Sequence, residues 1–94
     1  MTNAKLFEKL RGLIEDASDA DKKHIKKLRK VLHKLKERQR KLEHGLQHVD
    51  SDHERQRMEQ DIQVIRLQRH KGVEVYRQLK RDLEARRKEK KARD

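Results

Sequence analysis

"HIKKLRKVLHKLKERQRKL", residues 24 to 42, carries nine lysines or arginines and a single acid, Glu37. An apolar rhythm runs through that charge: Ile25, Leu28, Leu32, Leu35 and Leu42, with Gln39 as its polar member. Steps of three and four residues place side chains on one face of an α-helix, and a 3.5-residue period sustained over several turns is a coiled-coil seam. With Ile25 as an a position, the phase continues to Leu46 and Val49. Hydrocarbon faces inward and charge outward. The stretch reads as one half of a helix pair.

The other half follows it. Met58, Ile62, Ile65, Arg69, Gly72, Tyr76, Leu79 and Leu83 repeat the same spacing. Between the runs, Ser51 and Glu54 have the spacing of a capping box, in which each side chain satisfies the other's backbone amide. A helix over 19–49 and a second over 52–90 are therefore predicted, antiparallel because the connection is short. Each paired segment is about 30 residues, or roughly 45 Å. The interaction seam comprises Ile25, Leu28, Leu32, Leu35 and Leu42 on the first helix. Ile62, Ile65, Tyr76, Leu79 and Leu83 supply it on the second. Its exceptions carry specific expectations. Gln39 can set register, Arg69 can lay its methylenes along the seam with its head in water, and Gly72 can admit Leu28 closely. Gly45 could end the first helix at His44, but the heptad phase favours an end near Val49.

Residues 1–17 form a shorter amphipathic helix, with Leu6, Leu10, Leu13, Ile14 and Ala17 on one face and a phase offset by one residue. Ser18 with Asp21 offers an N-cap signature for the helix that follows. A straight continuation would meet "ARRKEKKARD", residues 85 to 94, which has almost nothing apolar. The first helix must fold back on the hairpin or pack on another chain. Val64, Leu67, Val73 and Val75 lie off the seam, and with the N-terminal helix they favour a homodimer. The expected fold is all-α and spans 1–94 as one domain. It is a long antiparallel coiled-coil helical hairpin with a short N-terminal helix, dimerising into a bundle. Residues 86–94 form a flexible basic end.

Composition narrows the chemistry. The chain is 31% hydrophobic and 48% charged, with no Cys and no Pro. Without Cys there is no disulfide, no thiolate nucleophile and no zinc ribbon. Glu8, Lys9 and Arg11 interrupt the N-terminal apolar residues, so no secretory core is legible there, and no stretch approaches the ~20 apolar residues of a membrane span. A cytoplasmic protein without membrane contact is expected. His44 and His48 stand four apart, with His53, Asp50 and Asp52 nearby, a weak metal candidate. Exposed histidine near a helix C-terminus is the plainer account, since the dipole favours it there. No metal or cofactor is expected. Ser18 and Ser51 read as caps, no phosphate loop or nucleophile motif occurs, and a slim hairpin offers no pocket to tune carboxylates. An enzyme is not expected.

Charge remains. Residues 19–49 carry a net +7 of the chain's +11, and from Lys22 to Lys41 eleven bases meet one acid. Lys27, Lys34 and Lys41 fall on one heptad position, about 10.5 Å apart. Lys26, Lys30 and Arg40 flank them. Such a ridge can contact phosphates and release counterions. The aromatics are only Phe7 and Tyr76, so a base-stacking platform is absent and any such contact would be backbone-directed. Two functions are expected from these features. The first is a non-catalytic coiled-coil adaptor that self-associates or binds a partner helix. The alternative is an accessory protein on DNA or RNA backbones.

Overall fold

The computed structural model describes residues 3–93, with the side chains of Asp19 and residues 89–93 set aside. Met1, Thr2 and Asp94, the outermost residues of the expected N-terminal helix and basic end, lie outside the described residues. The order is α1 (Asn3–Glu15), a 3-10 turn (Ala17–Asp19), α2 (Lys22–Leu46) and α3 (Asp52–Arg93). Among the described residues there is no strand, so the fold is all-α, as the periodicity predicts.

α2 and α3 form the antiparallel hairpin. Gln39 meets Arg69, and Gly45 lies against Met58. Seam residues Ile25, Leu28, Leu32, Leu35, Ile62 and Ile65 are buried, while Leu42, Tyr76, Leu79 and Leu83 are half-buried. α3 has 42 residues, about 63 Å at 1.5 Å each, and the molecule's longest dimension is 64 Å. α2 has 25 residues. Lys22 and Arg87 line one groove at its start, so only the last turn or two of α3 runs on past it.

Several boundaries differ from expectation. α2 starts at Lys22 rather than 19, because Asp21 is its N-cap: the Asp21 carboxylate accepts the His24 backbone N–H at 2.8 Å. Ser18 sits in the preceding 3-10 turn. α2 stops at Leu46, short of Val49. The Gln47 N–H bonds the His44 carbonyl and the His48 N–H bonds that of Gly45, tightening the last turn. Gly45 is not a left-handed stop, since no described glycine has positive φ. At the start of α3 the Glu54 N–H reaches Ser51 Oγ at 3.5 Å, a long version of the expected cap. α3 continues as helix to Arg93 rather than ending at 90, so the basic end is helical through that residue.

The N-terminal helix folds back on its own chain. Leu6 and Leu10 enter one core with Leu28, Val31, Leu32, Leu35 and Ile65. α1 runs antiparallel to α2. Arg38 Nη1 donates to Asn3 Oδ1 at 2.8 Å near one end. At the other, His24 Nε2 lies 2.7 Å from the Leu13 carbonyl, which can only accept, so the histidine donates. α1 covers Val31, a residue outside the two-helix seam, leaving it 3% exposed. Fully burying Leu6 and Leu10 contributes about 3–6 kcal/mol together, a large share of the roughly 5–15 kcal/mol that holds an ordinary domain folded.

Two seam exceptions take unexpected roles. Gly72 admits Leu32 and Leu10 rather than Leu28: a β-carbon there would stand 2.5 Å from Leu32 Cδ2 and 3.0 Å from Leu10 Cδ1. It is the point where three helices meet. Arg69 does not send its head into water. Its Nη1 donates to Gln39 Oε1 at 2.8 Å, and Gln39 Nε2 donates to Glu43 Oε1 at 2.9 Å. The two polar seam positions are partners across the hairpin. Arg69 Nε is buried without a partner.

Candidate functional site

The outer face of α2 is built by subtraction. One side of the helix is taken by α3 through Ile25, Leu28, Leu32 and Leu35, and an adjacent side by α1 through Val31 and Arg38. What is left is almost entirely cationic. Lys26, Lys27, Lys30, Lys34, Arg40 and Lys41 are all exposed. Lys22, Lys23, Arg29 and Lys36 share that exposure. Arg38 alone among the eleven bases from Lys22 to Lys41 is drawn toward α1, through its bond to Asn3.

Few acids stand on or beside this face, and each has a hydrogen-bonding partner. Asp21 caps α2. Accepting the His24 N–H holds its carboxyl below the usual 3.8; desolvation opposes this, and its own amide and the charges of Lys23 and His24 add smaller support. Glu37 pairs with His33 at 3.1 Å. Glu43 accepts from Gln39 and lies 3.7 Å from Arg66 of α3. Among the described residues, none of Lys26, Lys27, Lys30, Lys34, Arg40 and Lys41 joins an ion pair. α1 and α3 carry local pairs of the same i,i+4 spacing, Arg11 with Glu15 and His70 with Glu74.

Lys34 and Lys41 border a shallow depression with Leu6, Glu37 and Arg38, at the edge where α1 meets α2. Helix α2 is unbroken over this span, so Lys27, Lys34 and Lys41 follow one another along it at about 10.5 Å. Sequence reasoning omitted Lys22, Arg29 and Lys36. They stand on the heptad position beside the seam, where an opposite helix usually supplies pairing charges.

The histidines are only partly brought together. The His44 and His48 rings pack edge to face with centroids 5.2 Å apart. Among the described residues no group of three His, Cys, Asp or Glu side chains is placed to hold a metal ion, so His53 does not complete a set with them. No described helix is long and apolar enough to cross a membrane. Comparison with models of protein families, with curated proteins and with solved structures finds no match.

Proposed function

We propose that this chain is a non-catalytic protein that binds a nucleic-acid backbone through the outer face of α2, without reading sequence. One observation carries the reading: a continuous exposed row of lysine and arginine in which Glu37, paired with His33, is the one acid between Lys22 and Lys41. Solubility is served by mixed charge, which α1 and α3 already have. A face so dominated by one sign attracts polyanions and gains from releasing their counterions. Phe7 and Tyr76 are half-buried, which fits contact with phosphates rather than stacking on bases.

The protein should bind duplex DNA or RNA in the micromolar range at low salt, with log affinity falling linearly against log salt. Replacing Lys27, Lys34 and Lys41 with Gln should flatten that slope by up to about three units, near 0.9 per phosphate on B-DNA. The helical circular dichroism should be unchanged. Failure of the wild type to shift either duplex at ~50 mM salt, or an unaltered slope in the triple variant, would sink the reading.

A second reading, self-association or binding of a partner helix, is favoured by a separate observation. Val64 and Leu67 remain 44% and 69% exposed, whereas Val73 and Val75 are half-buried against the core. Val64 and Leu67 stand one turn before Gln68 and Lys71, which line the groove between α3 and α1 with Phe7 and Ile14. In this reading the chain is an adaptor that pairs through that patch, with a second copy as the simplest partner.

A further inference from the structure

The end of the hairpin has a different character from the phosphate-facing row. A groove of about 390 Å³ opens between the first turns of α2 and the later part of α3. Its apolar lining is Ile25, Tyr76 and Leu83. Lys22, Lys26 and Arg29 rise on the α2 side, and Lys80 and Arg87 on the α3 side, against one acid, Glu84. We infer that this groove docks an acidic amphipathic helix from a partner protein.

Three features point to that occupant. The first is charge: cations stand on both sides of an apolar lining, which complements a helix with an apolar stripe between two rows of carboxylates. The second is length. From Tyr76 to Arg87 the groove follows α3 for about 16 Å, or three turns of a helix laid along it. The third is exposure: Tyr76 and Leu83 remain only half-buried although both lie on the side of α3 that faces α2. A nucleic acid fits less well. Phosphates gain nothing from an apolar lining, and one face of the Tyr76 ring already has Lys80 Nζ above it, 5.6 Å from the centroid.

The chain itself supplies the reporter. Tyr76 is the single Tyr and there is no Trp, so intrinsic emission reads this groove alone. The probe is a synthetic peptide of about three to four turns, with leucines along one face, glutamates elsewhere and no Tyr or Trp. Titrated into the full chain at about 0.15 M salt, where distant exposed charges are largely screened, it should change Tyr76 emission saturably. A peptide of the same charge with Gln in place of Leu should bind at least about tenfold more weakly. Leu83→Glu should weaken the leucine peptide by a similar factor. So should the exposed pair Lys80→Glu with Arg87→Glu, which keeps the test valid if Leu83→Glu fails to fold. Lys27→Gln, Lys34→Gln and Lys41→Gln together should leave it within about twofold, since they lie outside the groove. Loss of nucleic-acid binding in that variant alone would thus bear on the α2 row and not on the groove. Absence of a saturable change, equal binding of the two peptides, or a duplex oligonucleotide that reproduces the Tyr76 change and displaces the peptide would each overturn the proposal.

Discussion

Gly12 and Gly72 are both helical, yet Ala should act in opposite directions at the two. A β-carbon at Gly12 meets nothing within 4 Å. Gly12→Ala should therefore stabilise the chain by about 1 kcal/mol through helix propensity and a less free unfolded chain. At Gly72 the same carbon would press on Leu32 and Leu10. Overpacking there costs about 1–3 kcal/mol, against a propensity gain of about 1 kcal/mol, so Gly72→Ala should be neutral to destabilising. Chemical denaturation of the pair checks the order. If Gly72→Ala proves as stabilising as Gly12→Ala, the three-helix contact at Gly72 is wrong. Asp21 gives a pH signature. Its folded value lies below 3.8 because the carboxylate accepts the His24 N–H. The stabilisation is then fully present above 3.8 and fades as pH falls through the lower folded value. The melting-temperature gap between wild type and Asp21→Ala should hold from neutral pH to about pH 4 and close below it. An acid-independent gap would show that the cap acts through something other than its charge.

At the scale of an element, the test of α2 is its two-faced character. Leu35 is fully buried and Lys34, its neighbour, is exposed. Leu35→Asp places an unpaired carboxylate between helices and should cost several kcal/mol, about 3–5 as for other uncompensated buried charges. Lys34→Asp should be nearly silent. Thermal melts in which both are tolerated alike would remove the helical frame. α1 completes the buried side of α2. Leu28, Val31, Leu32 and Leu35 share one core with Leu6 and Leu10, so the hairpin alone would expose Val31 and open a hollow beside Gly72. The bond from Arg69 to Gln39 fixes how α3 lies along α2, because a shift of either helix would strand a second nitrogen of a guanidinium whose Nε already lacks a partner.

For the whole molecule, a net charge of +11 sets the two functional readings against each other. Salt weakens attachment to a polyanion because fewer counterions are released. Salt should strengthen contact between two copies, since it screens their mutual repulsion while leaving apolar contact through Val64 and Leu67 intact. Sedimentation equilibrium over a range of salt is the measurement. Self-association should tighten with salt and be lost in Leu67→Lys, with the melting temperature held, because Leu67 is 69% exposed. A chain that stays monomeric at every salt and at high micromolar concentration would remove self-association through Val64 and Leu67.

The fold class, the antiparallel pairing of the long helices and the buried face of each were legible in the sequence. Period and polarity act locally: a residue three or four places along a helix faces the same way whatever else the chain does. The exposed lysines of α2 were legible for the same reason, being the positions that no seam could bury. Where α1 goes was not, because its offset stripe was equally compatible with its own hairpin or another chain. Nor did the sequence reveal that Val31 is buried, that Gly72 accommodates Leu10, or that Gln39 and Arg69 answer each other from thirty residues apart. The groove at the end of the hairpin was equally hidden. It forms where the antiparallel packing brings Lys80 and Arg87 of α3 beside Lys22 and Arg29 of α2. Such contacts join residues distant along the chain, and only the way three helices pack decides which of them meet.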